Sequence, residues 1–341
     1  MLTETFSAYV VTKDEAGQVQ GGVRSVSQAD LPPGDVLIQV AYSSLNYKDA
    51  LAARGNPGVV KKLPHVPGID AVGTVIETTS NEFAVGEEVL VTSYELGAAR
   101  WGGFAELVRV PADWVVRLPA GLSPREAMLL GTAGFTAAQS VDTLLSHGVR
   151  PEQGEIVVTG ATGGVGSWAI ALLRQLGFRV AAVSGKPDAE AYLRALGAQA
   201  LLAREDVDDR GAQPLLKGRW AGAVDSVGGN ILATILRGTM AGGCVTACGL
   251  TGGTNLPLTV FPFILRGVTL AGIDSAWTPH ARRVQLWNQL AGPWKTDQFN
   301  RIQKATIGLS EVNRAVEEML AGAHRGRTLI EIRPDRVSAT R

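Results

Sequence analysis

Only two cysteines occur in 341 residues, too few for a scaffold stapled by disulfides. Cys244 and Cys248 stand in GGCVTACGL with three residues between them, not the two of a redox or zinc pair. Their alternating small and apolar neighbours read as a buried strand and its exit. Histidine is equally scarce. His65, His147, His280 and His324 are scattered, and none has a partner at metal-ligand spacing, so no catalytic metal is expected. Neither sign of charge prevails: Lys plus Arg and Asp plus Glu number 32 each. No global field therefore gathers nucleic acid or an anionic membrane surface. No apolar run approaches the ~18 residues that would span a bilayer, and the start MLTETFSAYVV has neither a basic head nor a long apolar core. The expected compartment is the cytoplasm. Aromatics make up only 6% while hydrophobic residues reach 45%, a composition that builds an α/β core from Ala, Val, Leu and Ile.

The length exceeds what one ordinary core accommodates and predicts two domains. Up to about Gly121, short β-like runs are broken by Gly and Pro, among them DVLIQVAYSS (Asp35–Ser44), GIDAVGTVIET (Gly68–Thr78) and EEVLVTS (Glu87–Ser93). That text reads as a barrel-like β domain. Beyond a boundary near Ser123 the pattern becomes strands alternating with amphipathic helices, hence parallel βαβ units in a doubly wound sheet. EIVVTG is the first such strand, and Val165, Trp168, Ala169, Leu172 and Leu176 follow at helical spacing before a stop at Gly177. After Asp274 come two helical stretches, RRVQLWNQL and SEVNRAVEEMLAG, and the terminal strand GRTLIEI. A lone final strand needs a sheet to join. The expected layout is residues 1–123 with 274–341 as a catalytic domain and residues 124–273 as an inserted nucleotide domain.

Gly160-Ala161-Thr162-Gly163-Gly164-Val165-Gly166 lies between strand and helix. Glycines there allow a tight turn and close approach of the backbone to a pyrophosphate, which the helix start attracts with unpaired N–H groups. The next strand ends in Ser184-Gly185-Lys186. An acid at that strand end would bind a free ribose 2′-hydroxyl, whereas Ser and Lys can donate to a 2′-phosphate. With Arg204 as a second cation after the following apolar run, the pattern favours NADPH. Asp188 is the discordant residue, and capping of the next helix is its commoner role.

Without a Lewis acid, alcohol oxidation loses ground to hydride addition across a conjugated double bond, which needs only hydrogen-bond donors on the neighbouring carbonyl. Leu45-Asn46-Tyr47-Lys48-Asp49 is a polar patch at a strand-to-helix turn, a common position for functional side chains. Tyr47 is a candidate to hold the nicotinamide end or donate a proton, though a phenol is a reluctant acid at neutral pH. Asn46 is its candidate neighbour in catalysis, and packing or capping is the structural alternative for both.

The segments SSLNYKDAL (Ser43–Leu51), HVPGIDAVGTV (His65–Val75), GTAGFTAAQ (Gly131–Gln139), VTGATGGVGS (Val158–Ser167), WAGAVDSVGG (Trp220–Gly229), GGCVTACGLTGG (Gly242–Gly253), PFILRGVTLAGIDS (Pro262–Ser275) and GRTLIEI (Gly326–Ile332) carry a resemblance over nearly the whole chain. They resemble the medium-chain dehydrogenase/reductase superfamily, and within it the zinc-free branch of acrylyl-CoA reductases and quinone oxidoreductases. Where zinc-dependent relatives carry Gly-His-Glu, this chain has Gly68-Ile69-Asp70; their four-cysteine zinc lobe is also missing. The resemblance implies a GroES-like β-barrel catalytic domain, a Rossmann domain, and NADP in the cleft between them. It implies coenzyme contacts from Tyr47, Thr162 to Val165, Ser184 to Lys186 and Arg204, completed by Leu250, Ile264, Ser275 and Arg327. It further implies a homodimer and the reduction of acrylyl-CoA to propionyl-CoA. Arg54, Lys61, Lys62 and Arg100 are candidates to meet the phosphates of CoA. Two alternatives stay open: a quinone or small-enone reductase on the same fold, and an NADPH-binding protein with a regulatory or structural role.

Overall fold

The computed structural model describes residues 5–332. The chain divides into two compact units. One runs to Thr132 and takes in Ala276–Ala291 and the chain from Gln303; the other comprises Ala133–Ser275 and Gly292–Ile302.

In the first unit, the hairpin of Thr5–Lys13 and Val19–Ser27 accompanies a seven-stranded sheet. The central strand of that sheet, Val36–Ser44, shows why these residues form it. Val36, Ile38 and Val40 enter one core with Val75, Val89 and Val91, while Leu37 enters a second core with Phe6, Tyr9, Leu45 and Phe104. The period of two thus covers both faces, and burial of each such side chain contributes about 1.5–3 kcal/mol. Strand Val36–Ser44 pairs antiparallel with Asp70–Thr78 and Leu107–Val110. The terminal strand Arg327–Glu331 joins it antiparallel, Leu329 opposite Ser44, and pairs in parallel with Gln303–Ile307. The lone final strand therefore finds its sheet among the N-terminal strands. The expected helices appear as His280–Ala291 and Val312–Leu320.

The second unit is a six-stranded parallel sheet. Its strands, from one edge to the other, are Ala200–Leu202, Arg179–Val183, Glu155–Val158, Trp220–Asp225, Thr239–Ala247 and Thr269–Gly272. In chain order within the unit this is 3-2-1-4-5-6, the doubly wound order in which ligands bind beyond the carboxyl ends of the strands where the order reverses. That reversal falls beside Glu155–Val158. The helix Gly164–Gln175 buries Trp168, Ala169 and Leu172, and Trp168 meets Phe299 edge-on at 5.0 Å. Gly177, at φ 85°, turns the chain after it. Cys244 is buried in its strand and Cys248 lies just beyond the strand end, both free thiols.

Candidate active site

A cavity of about 250 Å³ opens at the carboxyl ends of the parallel strands. Thr159, Gly160 and Thr162 line it from the first strand, Val183 to Lys186 from the second, and Arg204 from beyond the third. Val227, Ile231, Thr251 and Gly252 complete the wall. Gly160 adopts φ 55°, and a Cβ on Gly166 would fall 2.5 Å from the Gly160 carbonyl oxygen, so a side chain at Gly166 would push the helix off the turn. Gly163 precedes the helix and no side chain caps its start, which leaves the first N–H groups directed at the turn. Arg204 lies against Gly185: a Cβ there would sit 2.6 Å from Arg204 Nε. The Lys186 N–H donates to Ser184 Oγ at 3.1 Å. At the fourth strand end, burial raises the Asp225 carboxyl above its usual range, opposed by donation from Thr159 Oγ1 at 2.7 Å and the Gly228 N–H at 2.7 Å. Among the described residues no carboxylate lines the cavity, and Ser184, Lys186 and Arg204 line the part where a 2′-phosphate would lie; the residues fit a phosphorylated dinucleotide.

The first unit holds a buried polar cluster around Asn46. Asn46 Oδ1 accepts from Arg327 Nη1 at 2.9 Å, and its amide donates to Asp70 Oδ2 at 2.8 Å and Asp49 Oδ2 at 3.0 Å. Asp49 reaches back from the helix Tyr47–Ala53, accepting from the Asn46 N–H at 2.8 Å and, on its other oxygen, from the Gly68 and Ile69 N–H groups. Asp70 accepts from Ser44 Oγ, Thr132 N and Thr132 Oγ1 as well. Arg327 is 2% exposed and also donates to Leu129 O, Leu45 O and Ser44 Oγ, with Asp70 Oδ2 at 3.5 Å. Burial pulls the Arg327 guanidinium below its usual range, while Asp70 and Asp49 push it back up. A kink at Gly131, φ 51°, brings Thr132 and Leu129 to the cluster. A Cβ on Gly131 would lie 2.4 Å from Asp70 Oδ2, so glycine is required there.

Among the residues expected from the sequence, Gly160, Thr162, Ser184, Gly185, Lys186 and Arg204 meet in the cavity, and Gly163, Gly164, Val165 and Gly166 form the adjoining turn and helix start. Tyr47 stands half-exposed beside Asn46. Arg327 sits in the Asn46 cluster of the first unit. Leu250 and Ile264 are exposed and Ser275 is partly buried, all in the second unit. Arg54 pairs with Glu317 at 3.2 Å, and Lys61 donates to Pro57 O at 3.0 Å. Sequence reasoning missed the joint role of Asp49, Asp70, Thr132 and Arg327. The one local signal was Asp49, three residues after Asn46 at a helix start.

A metal does not fit this cluster. Four hydrogen bonds occupy the two oxygens of Asp70, the full acceptor capacity of a carboxylate. His65 Nε2 is engaged at 3.0 Å with Gly97 O. Among the described residues no three His, Cys, Asp or Glu side chains gather to hold an ion.

The family model of the alcohol dehydrogenase GroES-like domain matches residues 32–120, and that of the zinc-binding dehydrogenase matches residues 164–285. A GroES-like domain followed by a nucleotide-binding parallel sheet defines a medium-chain dehydrogenase/reductase, and the chain belongs to that superfamily, in its zinc-free branch. Acrylyl-CoA reductase AcuI of Ruegeria pomeroyi is 45% identical over 329 residues, covering 96% of this chain and 99% of its own. Bacillus subtilis YhfP, which carries a quinone oxidoreductase name, is 45% identical over 331 residues, 97% of this chain and all of its own. The crystal structure of Escherichia coli K-12 YhdH with bound NADPH is 46% identical, covers 96% of this chain and 100% of its own, and superposes with a TM-score of 0.92. That of YhfP with NAD bound reaches 0.93 at 45% identity, over 96% of this chain and 99% of its own.

Burial and the nearby charge of Asp70 raise the Asp49 carboxyl to about 7, against the N–H groups of Ile69 and Asn46 and the Asn46 amide, which lower it. The folded value exceeds the unfolded one, so the contribution to stability is complete below about pH 4 and is lost as pH rises through about 7. The cost of Asp49→Asn, measured by urea unfolding, should be larger at pH 5 than at pH 8 by about 2–3 kcal/mol. Equal costs at the two values would show that Asp49 does not titrate in this range.

Proposed function

We propose that the chain reduces the activated C=C bond of acrylyl-CoA to propionyl-CoA, with NADPH as the hydride source. The observation that carries the coenzyme half is the carboxylate-free cavity where Ser184, Lys186 and Arg204 converge. Likeness to AcuI over the full length of both chains supports the acceptor. When bound, NADPH supplies a hydride to the β-carbon of the acyl group. Gly163 to Gly166 hold the pyrophosphate with the N–H groups of the helix start. Lys186, Arg204 and Ser184 would hold the 2′-phosphate, and Leu250, Ile264 and Ser275, with Tyr47 and Arg327, are the other coenzyme contacts of this reading. In this reading residues 1–123 and 274–341 act as the catalytic domain and 124–273 as the coenzyme domain.

Asn46 is the fixed point of the chemistry. Arg327 and Asp70 lock its amide, and so position the backbone that presents Tyr47. Backbone or hydroxyl donors would stabilise the negative charge developing on the thioester oxygen. Tyr47, half in solvent, donates the proton to the α-carbon directly or through water; Tyr47→Phe with full turnover would remove it from that step.

Oxidation of NADPH followed separately with acrylyl-CoA, crotonyl-CoA and benzoquinone tests the acceptor. Fast turnover with acrylyl-CoA alone is expected. A preference for benzoquinone would make the chain a quinone reductase, the reading that the name of YhfP favours, and silence with all three would leave a coenzyme-binding protein. Arg204→Ala combined with Lys186→Ala should raise KM for NADPH at least ten-fold and leave KM for NADH nearly unchanged. A parallel change in both would contradict the 2′-phosphate assignment.

The homodimer belongs to the same proposal. Thr269–Gly272 is one of the two edge strands of the parallel sheet, and the exposed Val260, Phe261 and Leu265 precede it in the chain. Unpaired edges next to apolar surface favour pairing with a second copy. Light scattering should give twice 35.8 kDa and Leu265→Glu should halve it; a monomeric wild type would contradict the pairing. The free thiols of Cys244 and Cys248 support a reducing compartment, the cytoplasm.

A further inference from the structure

We propose that the indole of Trp277 is a stacking surface for the flat ring that the electron acceptor carries, the adenine of a CoA thioester or the ring of a quinone. The inference rests on the reductase reading and adds a specificity-determining residue to it. Trp277 is 57% exposed, yet it stands on a rigid base. Tyr94 meets it edge-on at 5.9 Å and 83°, and stacks on Trp114 at 5.1 Å and 6°. The Arg283 guanidinium lies 4.3 Å from the Tyr94 ring centre. Arg283 is itself buried, donating to Thr92 O and Thr92 Oγ1. It also reaches the carbonyl of Ala276 at 3.1 Å, which the Tyr94 N–H meets at 3.2 Å. The residue before Trp277 is thus pinned twice.

Ser93 and Tyr94 both adopt positive φ, 64° and 51°, a conformation that non-glycine residues seldom take and that persists only where the surroundings enforce it. Here it links the aromatic stack to the catalytic cluster. Ser93 Oγ lies 2.9 Å from Thr132 Oγ1, which donates to Asp70 Oδ1 at 2.6 Å. Through Tyr94, Ser93, Thr132 and Asp70 the indole is thus tied to Asn46, where the acyl end of a CoA thioester would sit. Stacking on a ring already fixed loses little conformational freedom, and it accepts nucleobases and other π faces alike. Arg100, 5.5 Å from the Trp114 ring centre, adds a cation to the same ladder, suited to the phosphates of CoA.

The test compares wild type, Trp277→Ala and Trp277→Phe with acrylyl-CoA, acrylyl-pantetheine and benzoquinone as acceptors, and titrates coenzyme A calorimetrically without turnover. Trp277→Ala should raise KM for the ring-bearing acceptor about ten-fold, with kcat nearly kept, and Trp277→Phe should recover most of the loss. If adenine is the ring, the kcat/KM preference for acrylyl-CoA over acrylyl-pantetheine shrinks and coenzyme A binds more weakly. If a quinone is the ring, the rise appears with benzoquinone. Unchanged KM for every acceptor, or equal loss of kcat with all three, overturns the proposal. Should the wild type turn over none of them, the reductase reading fails, and the coenzyme A titration decides the stacking site: weaker binding by Trp277→Ala retains it, equal binding overturns it.

Discussion

Arg327 joins three parts of the first unit that are distant in sequence. Its guanidinium, on the terminal strand, touches the end of Val36–Ser44, the Asn46 amide and the Leu129 carbonyl before the Gly131 kink. A charge so buried is tolerable because Asp70 and Asp49 lie near and Arg327 Nε, Nη1 and Nη2 each donate to an acceptor at 2.6–3.1 Å. Removing one partner of such a pair typically costs about 3–5 kcal/mol, because the other charge is left uncompensated. Arg327 fixes one side of the Asn46 amide and meets the chain just before Gly131, while Asp49 and Asp70 hold the other side and the helix start. The unsuitability of the site for a metal has another source, since Ser44, Asn46 and Thr132 saturate Asp70.

The second unit obeys a different constraint, the close approach of backbone to backbone at Gly160 and Gly166. That contact sets the helix against the strand and leaves its N-terminus uncapped. At the neighbouring strand ends, three groups able to donate to a phosphate, Ser184, Lys186 and Arg204, line the cavity, and none of its described lining residues is a carboxylate. Anion recognition is thus local in a chain of zero formal charge.

Much of this was legible in the sequence, for identifiable reasons. Parallel strands and their helices appear because apolar periodicity is local, and the glycine turn because Gly160 and Gly166 answer steric demands within seven residues. The terminal strand was placed correctly by its need for a partner. What stayed hidden was non-local. Asp49, Asp70, Thr132 and Arg327 are single polar residues in four separate segments, and only folding shows that they share Asn46. Ser93 and Tyr94 were invisible for another reason: their positive φ is imposed by tertiary packing, against the preference of both residues.

The central claim is direct hydride transfer from NADPH to an activated alkene at a metal-free site. Incubation of acrylyl-CoA with NADPH deuterated at the transferable C4 position, followed by mass and NMR analysis of the product, tests it most directly. The account predicts propionyl-CoA with one deuterium on C3 and a solvent-derived hydrogen on C2. Product without deuterium at C3, or no propionyl-CoA at all, would contradict it.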